Sequence, residues 1–295
     1  MKQCILFIII AGLLTSCEKN IDFIPPNQAQ LLVVDGNIET GKYPQVVLST
    51  SINFLSTIGW NQLENSYVHD ADVTISDSTS TQPLIEYTIP LGAGFNAYYY
   101  SVDTTKVNAM RGIVGKTYTI NIKYNNQTYT STSTIPFPRL RLDSIWYENI
   151  AVKEDSDKVN IRGKFIDQKG FGDNFRYFTK RNTKGSFLPG RNSVGNDQVI
   201  DGTTFITKIS QGVDRISDTT DTNKGQFMKG DTITIKFCNV DKGVYTFWNT
   251  WEFSYNSTGN PFSSPGVVLN NVSNGALGAF CAYNPQYKTL IVPKK

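Results

Sequence analysis

Alternation of apolar and polar residues with a period of two constrains the fold of this chain more than any other feature. In Thr117–Tyr124 every second residue is apolar, as in a strand with one face in solvent. The following Asn125 and Asn126 predict a tight hairpin turn, because asparagine tolerates positive φ. Six further short segments have strand-like composition: Leu31–Ile38, Gln45–Ser51, Ala71–Ser76, Leu84–Ile89, Tyr98–Val102 and Thr128–Ile135. Seven short strands in about a hundred residues predict an immunoglobulin-like β-sandwich.

Two prolines, Pro136 and Pro138, mark the end of this predicted sandwich, because proline cannot donate a hydrogen bond to a strand ladder. We therefore expect one domain over residues 31–137 and a second over residues 138–295. The second half also contains strand-like segments: Leu142–Ile150, Val159–Asp167, Phe175–Arg181, Asp231–Cys238 and Gly275–Tyr283. Residues 183–230 are rich in small polar residues, which predicts long loops. The second domain is thus predicted to be β-rich, either a sandwich or a barrel.

One segment of the second half changes to helical period. Four apolar side chains fall at i, i+3, i+4 and i+7, on one face of a helix: Val244, Phe247, Trp248 and Trp251. Asp241 stands just before them and is a suitable N-cap. The sequence therefore predicts one amphipathic helix over residues 241–253 that packs on a sheet. The predicted fold class is all-β with this single helix.

The N-terminus has the organisation of an export signal. Lys2 precedes an apolar run, Cys4–Leu14, which is shorter than the roughly 20 residues that span a bilayer. The run ends in Leu14-Thr15-Ser16-Cys17, a pattern typical of lipid attachment at Cys17. We therefore predict a signal peptide over residues 1–16 and a lipidated tether over residues 17–30. The tether would hold an extracytoplasmic body to a membrane.

The remaining composition limits the partners. The net charge is +3, which gives no reason to propose nucleic acid as a partner. Only Cys238 and Cys281 remain in the body of the chain. In an oxidising envelope they are expected to form a disulfide, and two separate buried thiols are the alternative.

No catalytic or metal-binding motif is present. His69 is the only histidine, and it stands beside Asp70, so a solvated loop position explains it. One histidine excludes HExxH chemistry, and there is no GxSxG elbow or phosphate-binding glycine motif. Two acidic clusters have candidate roles. Oxygen ligands from Asp214, Asp218 and Asp221 could hold calcium. A glycosidase pair could come from Glu148, Glu154, Asp155 and Asp157. A solvated loop explains both, so the sequence predicts a non-enzyme without metal or cofactor.

Aromatic residues are the best candidates for contacting a ligand or partner. The run Tyr98-Tyr99-Tyr100 must place rings on both faces of its strand, so Tyr99 is a candidate contact. Trp60 lies in a turn-like segment where a core position is hard to explain. Asn260, Pro261 and Phe262 begin a rigid loop that ends at Pro265, in which Phe262 is either an apolar contact or packed into its own domain.

Several ordered motifs carry a family resemblance. They are Cys17-Glu18-Lys19, Leu32–Ile38, Ala71–Asp77, Gly115–Tyr118, Ile135-Pro136, Asp143–Trp146, Gly230–Ile233, Tyr245–Trp248, Asn260–Phe262 and Gly275–Gly278. With these motifs the chain resembles a family of lipoproteins from Bacteroidetes-type bacteria, domain of unknown function 4249. The resemblance implies no active-site residues. Cys238 and Cys281 depart from the family pattern, so a disulfide would be particular to this protein.

The resemblance also implies a role, because such lipoproteins are often encoded beside TonB-dependent outer-membrane receptors. We therefore expect an outer-membrane lipoprotein that serves such a receptor as a non-catalytic accessory or ligand-binding partner. Glu18 slightly favours the cell surface over the periplasmic face. A surface hydrolase acting on glycans or peptides and a structural adhesin are the alternatives.

Overall fold

The computed structural model describes residues 30–52, 59–150, 157–183, 185–215, 226–260 and 266–294. The predicted signal peptide, Cys17 and the predicted tether up to residue 29 therefore lie outside the described residues. The first half of the chain contributes seven strands and a short helix: β1 (Leu32–Glu39), β2 (Gln45–Thr50), α1 (Trp60–Glu64), β3 (Asp72–Ser76), β4 (Thr81–Gly92), β5 (Phe95–Val102), β6 (Thr117–Tyr124) and β7 (Gln127–Thr134).

The second half contributes eight strands and a longer helix. These are β8 (Arg141–Asn149), β9 (Lys158–Ile166), β10 (Asn174–Arg181), β11 (Leu188–Asn196), β12 (Thr204–Ile209), β13 (Phe227–Met228), β14 (Thr232–Val240), α2 (Lys242–Ser257) and β15 (Leu277–Ile291). The predicted all-β class with one amphipathic helix is confirmed. The seven strands predicted before residue 136 are all present. Asn125 and Asn126 have φ of 48° and 59°, as the predicted hairpin turn requires.

Eleven strands form one continuous sheet. Their order is β11-β10-β14-β15-β1-β2-β5-β4-β3-β6-β7. The first residues of β4 pair with β3 and the rest pair with β5, so the sheet folds over one core at β4. Alternation along the strands directs Val34, Ile75 and Ile120 into this core, where none is more than 1% exposed.

The last strand, β15, joins the two halves of the chain. Its first part pairs in parallel with β1, and its second part pairs antiparallel with β14. A Cβ atom at Gly278 would lie 2.0 Å from the carbonyl oxygen of Val34, and Gly278 has a φ of +94°. Only glycine allows this close approach between the two backbones.

The sheet crosses the domain boundary that the sequence predicts at residue 137. Residues 31–295 form one compact unit, since β15 connects β1 to β14. The cores nevertheless separate near that point. The first draws on residues 32–135 and on four residues of the segment 272–282, whereas the second begins at Leu140. The prolines thus end one core without ending the sheet.

A smaller sheet covers the second core. β9 pairs with β8 along one edge and with β12 and β13 along the other. Its inward side chains meet those of β14 in a buried cluster that includes Ile161, Phe165, Ile233 and Phe237. The prediction of long loops over residues 183–230 is therefore wrong in part, because this stretch contains β11, β12 and β13. β11 ends the large sheet and β12 pairs only with β9, so both are edge strands that need few apolar residues.

Helix α2 packs on the opposite face of the large sheet. Asp241 caps it as predicted, accepting a hydrogen bond from the Val244 amide at 2.9 Å. The other carboxylate oxygen of Asp241 accepts bonds from Ser133 and Thr134 of β7, which fixes the helix start against the first core. The buried Val244 and Phe247 then face Cys238, Ala279 and Tyr283 in a third apolar cluster.

The predicted disulfide is wrong, because Cys238 and Cys281 are both free and buried. The strand register explains this. Cys238 lies opposite Pro285, four residues further along β15 than Cys281, which corresponds to about 13 Å along a strand. A disulfide requires Cα atoms within about 7 Å. Burial raises the pKa of each thiol to about 12.

We therefore expect both thiols to be unreactive in the folded protein. Native protein at pH 8 should resist a disulfide-exchange reagent such as Ellman's reagent, because only the thiolate reacts and both sulfurs are enclosed. After unfolding in guanidinium without a reductant, both body cysteines, Cys238 and Cys281, should react. Absorbance of the released thiolate measures both states. No released thiolate after unfolding would show a disulfide instead.

Candidate functional site

A pocket of about 450 Å³ lies between α2 and the strands β1 and β15. The alternation that buries Val34 in the first core turns Val33 and Asp35 to the opposite face of β1, toward α2. The walls are mainly aromatic and aliphatic, and include Val33, Phe247, Trp248, Trp251, Val268 and Leu277. A pocket of this size and composition is typical of sites for small molecules.

Asp35 is the one ionisable residue that lines this pocket within the described parts of the chain. Its side chain is exposed to solvent at the pocket wall. Crowding by protein atoms raises the pKa of Asp35, and the positive charge of Arg176 acts in the opposite direction. A cationic or hydrogen-bond-donating group on a ligand would pair with this carboxylate.

A buried arginine fixes the aromatic wall. The guanidinium carbon of Arg176 lies 3.4 Å from the centre of the Trp248 ring, and Arg176 is only 3% exposed. Arg176 and the indole Nε1 of Trp248 both donate to the Tyr283 hydroxyl, at 3.0 and 3.1 Å. Stacking and hydrogen bonds together hold Trp248 in one orientation, so this wall is formed before any ligand arrives.

The Arg176 side chain is itself part of a larger polar network behind the pocket. It donates to Ser193, whose amide donates to the carboxylate of Glu252 at 2.7 Å. Arg215 approaches the same carboxylate at 3.8 Å. Glu252 lies on α2 and Ser193 on β11, so the network ties the helix to the edge of the sheet.

Trp60 and Tyr99 lie away from this pocket. Trp60 begins the short helix α1, not the predicted turn, and its side chain is 62% exposed. It packs on Phe95 with ring centres 5.5 Å apart, beside a smaller pocket of about 230 Å³ that Leu91 also lines. Tyr99 stacks on Tyr87. Glu64 of α1 accepts from Asn96 and Tyr98, whose side chains point to the other face of β5 from Tyr99, so Trp60 and Tyr99 do not share one described site.

The other predicted contact residues are less informative. Asn260 is exposed, and Pro261 and Phe262 lie outside the described residues. His69 contacts Glu86 at 2.7 Å and the edge of Tyr98, an environment that needs no catalytic role.

The structure describes only part of the two acidic clusters, the candidate calcium site and the candidate glycosidase pair. Asp218, Asp221, Glu154 and Asp155 lie outside the described residues. Glu148 pairs with Arg162 at 2.9 Å, and this interaction lowers the pKa of Glu148. Asp35 and Arg176, which the sequence analysis missed, carry only a faint signal, since each is a charge inside an otherwise strand-like segment.

No helix in the described ranges is long and apolar enough to cross a membrane. A comparison with curated proteins finds no match to the chain. The family model described as "Domain of unknown function (DUF4249)" matches residues 18–289, which is nearly the whole chain. The resemblance inferred from the ordered motifs is thereby confirmed, and the chain belongs to the DUF4249 family.

Proposed function

We propose that this protein is a lipid-anchored, non-catalytic accessory of an outer-membrane uptake system, and that it binds a small ligand in the pocket beside α2. The observation that carries the proposal is the preformed aromatic pocket with Asp35 at its wall. The pocket volume and the fixed Trp248 ring suit reversible binding of a small, largely apolar molecule. Asp35 selects for an amine or another hydrogen-bond donor on that molecule.

The pocket chemistry favours binding over hydrolysis. Glycoside hydrolysis needs two carboxyl groups that face each other across the scissile bond. In the described lining, Asp35 has no second carboxylate opposite it. An adhesin would need a broad exposed surface rather than a pocket of this size. A ligand-binding accessory would use the apolar walls, the fixed Trp248 ring and Asp35.

The transport context of the proposal rests on the sequence. Lipid on Cys17 and the proline-containing tether would hold the body at the outer membrane while leaving it free to reorient. The family resemblance implies proteins that are often encoded beside TonB-dependent outer-membrane receptors, which supports a role in uptake. The exposed side of the β4–β5 hairpin, with Trp60, is the surface through which we propose that the body contacts such a receptor.

A neutral apolar dye tests the pocket directly. We expect N-phenyl-1-naphthylamine to bind the full-length protein in detergent below its micelle-forming concentration, with fluorescence enhancement. Val268→Trp adds bulk to a half-exposed pocket residue and should weaken binding about tenfold or more. Val267→Trp is the matched control, because Val267 is 75% exposed and does not line the pocket. Equal affinity in both variants would contradict binding at this site.

The same two variants test the uptake role in cells. A strain that lacks the gene should grow poorly on the cargo of the neighbouring receptor. The Val267→Trp variant should restore growth and the Val268→Trp variant should not. If deletion leaves uptake unchanged and no receptor co-purifies with the protein, the accessory role is wrong, whatever the dye shows.

A further inference from the structure

Three aspartates meet at one end of the small sheet, far along the chain from the pocket residues. Asp167 directly follows β9, Asp197 directly follows β11, and Asp201 lies in the turn before β12. One carboxylate oxygen of each lies within 4.8 Å of the others. The cluster therefore brings together side chains from two separate loops, 167–173 and 197–203.

Backbone amides hold the three carboxylates in place. Asp167 accepts from the Gly202 amide at 2.9 Å, and Asp201 accepts from the Gly170 amide at 2.6 Å. Asp197 accepts from the Gly172 amide at 2.9 Å. Each loop thus donates to an aspartate of the other. Gly170 and Gly172 have φ of 123° and 116°, a conformation that favours glycine, so the donor directions depend on these residues.

The negative charge of the cluster exceeds the positive charge beside it. Asp173 adds a fourth carboxylate, and Arg139 pairs with it at 3.0 Å. Four carboxylates at −1 and one guanidinium at +1 leave a net charge of −3 among these five groups. The second amino group of Arg139 is directed to the carbonyl oxygens of Lys169 and Gly170. One guanidinium does not neutralise the cluster.

One carboxylate oxygen of Asp167 has no hydrogen-bond partner. Asp167 is only 6% exposed, and its Oδ1 atom is fully enclosed without a hydrogen-bond partner. A buried charged oxygen without a partner is costly, since it has lost its hydration and gained nothing in return. Burial and the neighbouring charges of Asp197 and Asp201 raise the pKa of Asp167. The Gly202 amide donates to the other oxygen of Asp167, Oδ2, so it does not satisfy Oδ1.

We propose that Asp167, Asp197 and Asp201 bind a calcium ion. Calcium prefers oxygen ligands at 2.3–2.6 Å, so two ligand atoms on opposite sides of the ion lie about 5 Å apart. Oxygens within 4.8 Å of one another can therefore share one ion, with water completing the shell. The ion would connect the β9–β10 loop to the β11–β12 loop. It would thereby clamp the small sheet to β10 and β11 of the large one.

Calorimetric titration of the full-length protein tests the site. After removal of metal with a chelator, calcium chloride should bind at one site with a Kd between about 1 µM and 1 mM. A hundredfold excess over this Kd should raise Tm by about 5 °C. Magnesium chloride should bind at least about tenfold more weakly, because magnesium gives up its water reluctantly.

Substitutions assign the binding to these residues. Asp167→Asn and the less buried Asp201→Asn should each weaken calcium binding about tenfold or more. Without metal, neither variant should melt below the wild type, because each removes repulsion from the cluster. Asp72→Asn is the matched control, since Asp72 is an exposed aspartate paired with Lys123, and it should leave the affinity unchanged.

Three results would overturn the proposal. The first is the absence of both heat and a Tm shift up to 10 mM calcium, about tenfold above the weakest affinity expected. The second is undiminished calcium binding in both cluster variants, or in the one that folds. A fall in Tm that is the same with and without calcium would assign the aspartates to loop structure alone.

Discussion

Replacing Glu39 with glutamine is expected to lower the free energy of unfolding by about 3–5 kcal/mol. Glu39, at the end of β1, is 8% exposed and forms an ion pair with Lys236 of β14, which is equally buried. The substitution leaves the lysine charge enclosed without its partner. Denaturant unfolding, followed by fluorescence at constant m-value, measures the loss.

Two variants separate this effect from a general loss of charge. Lys42 also pairs with Glu39, at 2.6 Å, but its side chain is 61% exposed. Lys42→Met should therefore cost less than about 1 kcal/mol. The double variant Glu39→Gln/Lys236→Met removes both buried charges and should recover most of the stability. A double variant no more stable than Glu39→Gln would contradict the stated cause.

The same pair sets a pH dependence. Burial acts to raise the pKa of Glu39, but its interactions with Lys236 and Lys42 outweigh burial and lower it below the ordinary value of 4.5. The unfolded chain thus binds the proton more readily than the folded chain. The contribution to stability is present above pH 4.5 and is lost as the pH falls through the folded pKa. In the Glu39→Gln variant this part of the acid sensitivity should disappear.

Replacing Cys17 with alanine is expected to remove the protein from the membrane fraction completely. The thiol is the only acceptor for the proposed lipid, and more than one acyl chain, each buried CH₂ contributing about 0.8 kcal/mol, makes attachment stable. Cell fractionation with metabolic labelling by a radioactive or clickable fatty acid measures both attachment and lipid. Cys4→Ala should change neither, because Cys4 lies within the proposed signal peptide. Retained membrane attachment and label in Cys17→Ala would contradict lipidation at this residue.

Local patterns in the sequence were sufficient for much of the fold. The strict alternation of Thr117–Tyr124 coincides with β6, and the helical spacing after Asp241 coincides with α2, which extends four residues beyond the predicted end. Both patterns arise because one face of the element packs on a core. The periodicity is therefore visible within a few consecutive residues. β11 contains few apolar residues and most of β12 is exposed, so neither shows a clear alternation that would predict a strand.

Features that depend on distant parts of the chain were not predictable. The register between β14 and β15 decides that Cys238 and Cys281 stay apart, and no local pattern encodes that register. The pocket combines Asp35 with Trp251, more than two hundred residues later. Asp167 and Asp197 belong to no spacing motif, and they follow strands of two different sheets, β9 and β11, which come together only in the folded chain. The helical spacing predicts that the aromatic residues of α2 pack on a sheet, but not that they also line a pocket.

The parallel pairing of β1 with β15 has a consequence for the order in which the protein can fold. β1 can pair with β2 early, but its partner on the other edge, Leu277–Tyr283, is synthesised only near the end of the chain. Phe280 and Ala282 belong to the same core as Leu32, so that core stays incomplete until nearly the whole chain is present. Closing such a long loop is slow. A nascent chain of this topology therefore carries one unpaired edge of β1 through most of its synthesis, an edge open to wrong pairing with other strands.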